Sequence, residues 1–309
     1  MCIRDREDRD IIPNAAFLEE GHVRTGATRY MNLDSLPLPA YDLLELERYF
    51  RAFRARNRDG YERAVTYYTQ KGCQWREKSG GCMFCGIPEQ RHRAKSPQKV
   101  WEELSALKEQ FGIDYVYEAG DDFAFDRKWL EELVETKPAQ LRSLAFEIST
   151  RADRIDEETV KYLRKLGVVE VLIGMETGNH AQFRKLRKGY PWERNLKAAD
   201  LLGREGMRVF PSLIIGVEGE TYETLNDTIS LANELKSGRY VERCLASIMT
   251  PIPGSAAYYE MLRVPELRDK YSGADVLSIR ELQRDWLSHF TSITWESACL
   301  LYTSPSPRD

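Results

Sequence analysis

The feature that most restricts how this 309-residue chain can fold is a recurrent alternation of short β-rich runs with helical-period segments of ten to fifteen residues. Antiparallel neighbours need only a two-residue turn, whereas parallel strands need a crossover of a dozen residues or more, so the alternation predicts a parallel sheet. Six such units are legible. Strands are expected over 63–70, 115–119, 143–150, 168–175, 208–215 and 243–250. Helices are expected from Ser96-Pro97, over 126–135, from Asp156 to Gly167, over 192–204 with Gly206 as C-cap, over 221–235, and again after Pro251-Ile-Pro253-Gly254. Ser96 is a natural N-cap with Pro97 at the first helical position. Six sequential units with no second sheet pattern predict an α/β fold, a partial (βα)6 barrel with parallel strands. Functional residues should then lie just beyond the C-terminal strand ends, where βα loops build a site.

Three of the six cysteines fall within thirteen residues of the loop after the first strand, Gly72-Cys73-Gln-Trp-Arg-Glu-Lys-Ser-Gly-Gly-Cys82-Met-Phe-Cys85. Six cysteines are too few for a disulfide scaffold in a chain of this length, and crowding in a reducing compartment points to metal. Three thiolates leave one iron of a cubane [4Fe–4S] cluster open to a small chelating molecule. The residues alone also permit a structural zinc site with His92 as fourth ligand. A redox C-x-x-C would leave Cys73 unexplained.

Around this loop the chain resembles the radical S-adenosylmethionine superfamily over about residues 34–296, with Phe84 as the aromatic residue before the third cysteine. The usual first spacing of three residues is eight here. The resemblance implies a TIM-like partial barrel, Cys73, Cys82 and Cys85 as cluster ligands, and S-adenosylmethionine chelating the fourth iron. It implies cofactor-binding roles for Gly120 and Asp121 after strand two, Ser149 and Arg151 after strand three, Glu176 after strand four, and Gly216 after strand five. Arg151 would pair with the cofactor carboxylate, or else with Asp153 or Asp156. Lys185-Leu-Arg187-Lys188-Gly189 and Pro251-Ile-Pro253-Gly254-Ser255 also match family positions, without assigned chemistry. The implied reaction is reductive cleavage of S-adenosylmethionine to a 5′-deoxyadenosyl radical, fed by an external one-electron donor of flavodoxin or ferredoxin type. The resemblance names no substrate and no catalytic residue beyond these.

The segment Met31-Asn-Leu-Asp-Ser-Leu-Pro-Leu-Pro-Ala-Tyr-Asp-Leu-Leu resembles the join to a cobalamin-binding domain in the cobalamin subgroup. Cobalamin-dependent methyl transfer in a longer parent is thus one expectation. A methylthiotransferase-like enzyme and a non-enzymatic zinc-stabilised binding module are the alternatives. The expected organisation is an N-terminal lead-in over 7–62, the core barrel over 63–265 and a helical extension over 266–298. Residues 1–6 and 299–309 resemble translated transposase adapter sequence, which sets aside Cys2 and Cys299 and predicts a fragment. A formal charge of −4 provides no overall basic field, so nucleic acid is not indicated. With no apolar run of membrane-spanning length and no signal-peptide core, the expected compartment is the cytoplasm.

Overall fold

The computed structural model describes residues 13–19, 22–56, 59–238, 240–241, 243–273 and 276–303. Cys2, residues 1–6 and residues 304–309 lie outside the described residues. Two compact units are present, dividing after Pro37. The first contains an antiparallel hairpin of β1 (Ala16–Glu19) and β2 (His22–Thr25). Asn14, at φ 61°, ties its base by exchanging two hydrogen bonds with the backbone of Arg29.

The second unit carries all the described cysteines. It begins with α1 (Leu46–Arg54), a short amphipathic helix. The main sheet comprises β3 (Ala64–Tyr67), β6 (Tyr115–Glu118), β7 (Ala145–Thr150), β8 (Val168–Glu176), β9 (Arg208–Ile215) and β10 (Leu245–Ile248). They lie in that order and every pair is parallel. Between β3 and β6 lie β4 (Gln70–Lys71), α2 (Gln74–Ser79), β5 (Arg93–Ala94) and α3 (Pro97–Phe111). The later crossovers are α4 (Arg127–Glu135), α5 (Glu157–Leu166), α6 (His180–Lys185), α7 (Glu193–Arg204) and α8 (Tyr222–Ser237). After β10 come α9 (Ala256–Met261), α10 (Pro265–Tyr271), α11 (Ile279–Phe290) and α12 (Trp295–Thr303). The last helix straddles residue 299, where adapter-like sequence was expected to begin.

Cap chemistry sets most of the helix starts. Ser96, Asp126, Asp156 and Thr221 each accept an amide of the first turn on their side chains. At the end of α7 the sequence expectation needs correction: Glu205 is the C-cap, and Gly206 follows it at φ 80°. Leu144, Phe146 and Ile148 join Leu104, Leu130, Val160 and Leu202 in the core between sheet and helices.

The opposite face of the sheet lines the barrel, and it is polar near the strand N-termini. Tyr115 donates to Glu147 at 3.1 Å, while Arg208 bonds Glu170 at 3.0 Å and Asp59 at 2.6 Å. Phe53 of α1 and Tyr61 pack on the Tyr115 ring at 5.2 Å each, flooring the barrel. Burial, then the neighbouring Glu170, pushes the Glu147 carboxyl up to about 7. A carboxyl whose value is raised from 4.5 in the unfolded chain to about 7 on folding binds more protons in the native state. Its contribution is therefore complete below the unfolded value and disappears as pH rises through the folded one. Glu147→Gln should flatten part of the fall in urea midpoint across that window. An unchanged slope would exclude Glu147 as its source.

The sheet curls because the loops beyond its two edge strands meet. Arg76, after β3, donates to Gly254 O at 3.2 Å, after β10, and Ala257 of α9 donates to Met83 O at 2.9 Å. The result is a partial barrel whose mouth is spanned by the cysteine loop.

Candidate active site

The cysteine loop is cinched at its base by the two-residue ladder of β4 with β5, pairing Gln70 with Ala94 and Lys71 with Arg93. The wide first spacing now has a physical account. Cys73 is the N-cap of α2, the six residues of that helix fill most of the gap, and Gly80 and Gly81 at φ 84° and 93° turn the chain back to Cys82. Those left-handed angles strain residues that carry a side chain. Arg76, buried, holds the return in place by donating to Cys85 O at 2.9 Å. Met83 N donates to Leu186 O at 3.0 Å, so Cys82 and Cys85 flank a pinned residue.

All three thiols are half-buried. Burial pushes Cys73 up, opposed by the backbone amides of Arg76 and Trp75. Burial pushes Cys82 further, to about 11, and the cations that oppose this are Lys188 and Arg151. Two positive side chains therefore act on the same sulfur in the direction of the thiolate, and burial outweighs them. His92 is engaged elsewhere: its Nε2 bonds Gln70 Oε1 at 2.5 Å and its ring packs 4.2 Å from Phe125. Among the described residues no three His, Cys, Asp or Glu side chains converge as ligands of a single ion would.

The expected cofactor residues separate into those near the cysteines and those apart from them. Asp121 accepts from Gly72 N at 2.9 Å, directly beside Cys73. Gly120 packs against Gln70 and donates to Glu118 at 3.1 Å. Arg151 is buried, paired with Asp153 through Nε at 3.0 Å and Nη2 at 3.1 Å, and donates to Lys188 O at 2.6 Å. Of the two partners considered from sequence, the protein alone shows Asp153. Ser149 is half-buried on β7, and its carbonyl accepts from Phe123 N at 2.9 Å, tying down the loop that carries Asp121 and Asp122. Glu176 sits at a β-bulge, where Gly174 pairs with Ser212 but Glu176 with Leu213. The bulge and its φ of 65° re-aim the carboxylate toward Lys188, 2.7 Å away. Gly216 stands apart under α11: at φ 94°, it gives its N–H to Glu220 and its carbonyl to the Trp286 indole at 2.7 Å.

Several residues that the sequence reading did not select prove central. Lys188 is buried, bonded to Gly174 O at 2.6 Å as well as to Glu176. Burial alone would lower its pKa; the Glu176 carboxylate outweighs this and raises it. Asp122, fully buried, accepts from Thr150 at 2.8 Å and Arg151 N at 3.2 Å and pairs with Arg154 at 3.2 Å. Trp75 gives its indole N–H to Arg187 O at 2.9 Å and lies flat against Gly189. The segment 185–189 is thus the hub of the site: Leu186 pins Met83, Arg187 and Gly189 seat Trp75, and Lys188 holds Glu176 and Arg151. Its only advance signal was the Lys-Leu-Arg-Lys-Gly motif, which spacing arguments could not turn into contacts.

Gly189 makes the seat for Trp75 possible. A Cβ there would lie 2.0 Å from Trp75 Cη2, at a φ of 76°. Gly189→Ala is expected to cost about 1–3 kcal/mol through overpacking and left-handed strain. Chemical denaturation measures it, and a change within about 0.5 kcal/mol would mean that the indole moves aside freely.

Comparison with known proteins agrees with this geometry. The family model of the Radical SAM superfamily matches residues 67–232. An uncharacterised methyltransferase of Pyrococcus horikoshii is 27% identical over 257 residues, 82% of this chain and 52% of that protein. The cobalamin-dependent S-adenosylmethionine radical enzyme OxsB superposes with a TM-score of 0.65 at 18% identity, over 84% of this chain and 42% of that one. The radical S-adenosylmethionine methyltransferase TsrM of Kitasatospora setae, solved with cobalamin and a [4Fe-4S] cluster, gives 0.60 at 18% identity, over 80% of this chain and 53% of that one. This chain spans about half the length of these proteins. No helix among the described residues is long and apolar enough to cross a membrane. With three cysteines presented at the mouth of a parallel partial barrel and the family model spanning more than half of its length, the chain belongs to the radical S-adenosylmethionine superfamily.

Proposed function

We propose that this chain is the radical domain of a methyl-transferring enzyme, in which Cys73, Cys82 and Cys85 hold a [4Fe–4S] cluster and the fourth iron receives S-adenosylmethionine. The observation that carries the reading is the presentation of three half-buried cysteines on one loop at the mouth of a parallel partial barrel. The residues fit the group. Three soft thiolates suit iron, and two buried cations offset the negative charge of a thiolate-bound cluster. When bound, cluster and S-adenosylmethionine supply reductive cleavage of the sulfonium to a 5′-deoxyadenosyl radical.

The chain's own groups orient and enclose. Asp121, exposed beside Cys73, is the carboxylate available to an ammonium group. Arg151 can receive a carboxylate by exchanging its pairing with Asp153. Gly216 is proposed to lie along the adenine, on the side of its backbone not closed by Leu287. The barrel interior between this mouth and the Glu147–Glu170 floor is the space for substrate.

Methyl transfer is favoured over methylthio transfer by the kinship to the Pyrococcus methyltransferase over 82% of this chain. Cobalamin would be held by a separate domain of the parent. The domain plan proposed is a lead-in over 7–62, the radical core over 63–265 and a helical extension over 266–298, in a cytoplasmic protein. Anaerobic reconstitution tests the reading: about four irons with sulfide per chain and reductant-dependent 5′-deoxyadenosine are expected. Stoichiometric zinc without iron binding would overturn it.

A further inference from the structure

Beside the cysteine loop lies an open cavity of about 400 Å³ whose walls include Trp75 of α2 and Phe183, Arg184, Arg187, Tyr190 and Pro191 on and after α6. From it we propose that this groove is the docking surface for an acidic one-electron carrier protein, of flavodoxin or ferredoxin class, which delivers the electron the cluster requires. The inference rests on the radical reading of the cysteine site and adds the place at which its reductant binds. One electron leaves the carrier, which is oxidised, and enters the cluster, which is reduced.

Three observations support the assignment. The groove shares a wall with the cluster loop itself, since Trp75 is two residues from Cys73 and its indole is fixed by Arg187 O at 2.9 Å. An electron carrier must reach the cluster, and this groove reaches its flank from outside. Arg184 and Arg187 are exposed, and among the described residues no carboxylate pairs with either. In a chain of formal charge −4, two unneutralised guanidiniums on one rim form a local field of opposite sign to the whole. Both arginines are exposed on the rim of an open cavity rather than enclosed in it, which suits a protein surface better than a small anion. Aromatic and arginine side chains framed in a shallow depression are also the composition that protein interfaces favour.

The test compares two reductants on the cluster-reconstituted protein. With dithionite, a small reductant that needs no docking site, Arg184→Glu should cleave S-adenosylmethionine within about twofold of wild type. With reduced acidic flavodoxin at low salt, the same variant should lose at least about fivefold in rate, and flavodoxin should bind it correspondingly more weakly in calorimetric titration; rim charges act chiefly on association. Added salt should shrink the difference by screening wild type. Arg184→Lys should keep most of the flavodoxin-driven rate. Equal flavodoxin-driven rates and affinities for wild type and Arg184→Glu at low salt would overturn the docking assignment. An equal loss with both reductants would also overturn it, because Arg184 would then serve the site itself. A wild-type protein that cleaves nothing with dithionite would instead remove the radical reading on which the proposal stands.

Discussion

Replacing Cys82 by alanine is expected to drop iron retention after reconstitution from about four per chain to below one and to bring reductive cleavage of S-adenosylmethionine to background. Of the three thiols this is the one pushed up to about 11 by burial while two cations, Lys188 and Arg151, act against that shift. Two cations acting on one half-buried sulfur stabilise its negative form, which is the form a cluster ligand takes. Met83, next in sequence, is hydrogen-bonded on both sides, by Leu186 and by Ala257, so the backbone at this position does not depend on the sulfur. The apoprotein should therefore fold unchanged by far-UV circular dichroism. The proper control is Cys244→Ala, since Cys244 lies outside the loop with its sulfur 3.9 Å from Ala232 O. If Cys82→Ala retained iron and activity while Cys244→Ala lost them, the ligand set would be wrong.

The barrel was legible because its information is local. Periodicity and capping name the elements one at a time: Ser96-Pro97 opens α3, Asp156 and Gly167 bracket α5, and the apolar run after Met207 is β9 to the residue. What stayed hidden depends on contacts between distant segments. No apolar period runs through Gln74–Ser79, and the helix there is held by an indole seated on Gly189, more than a hundred residues away. The strand pair near residue 16 was missed because each strand has only four residues, too few for a period to show. The cysteines were legible as a set. The pairing of Lys188 with Glu176 was not, since nothing in a Lys-Leu-Arg-Lys-Gly run distinguishes a buried lysine from an exposed one. Likewise Arg151 was identified by position, but its bidentate pairing with Asp153 is a product of the turn that follows β7.

Lys188→Met should be the most destabilising single change at the site, by about 3–5 kcal/mol, because it leaves the buried Glu176 carboxylate uncompensated. Both side chains are almost wholly removed from solvent, with Lys188 5% and Glu176 4% exposed. The ammonium also satisfies Gly174 O at 2.6 Å, so a second buried acceptor loses its partner. Methionine matches the length of the lysine stem, which confines the effect to the missing charge and hydrogen bonds rather than a cavity. Adding Glu176→Gln to Lys188→Met removes the stranded charge and should recover a large part of the loss, whereas Glu176→Gln alone should cost less than Lys188→Met. Urea denaturation of the four proteins closes the double-mutant cycle. Strictly additive costs would mean that the pair is not coupled, and the account of the Glu176 bulge as a device for aiming its carboxylate at Lys188 would fail. Strong coupling would instead mean that the residues steering charge toward Cys82 are held by one another, so that the electrostatics of the cysteine site are built into the stability of the barrel rim itself.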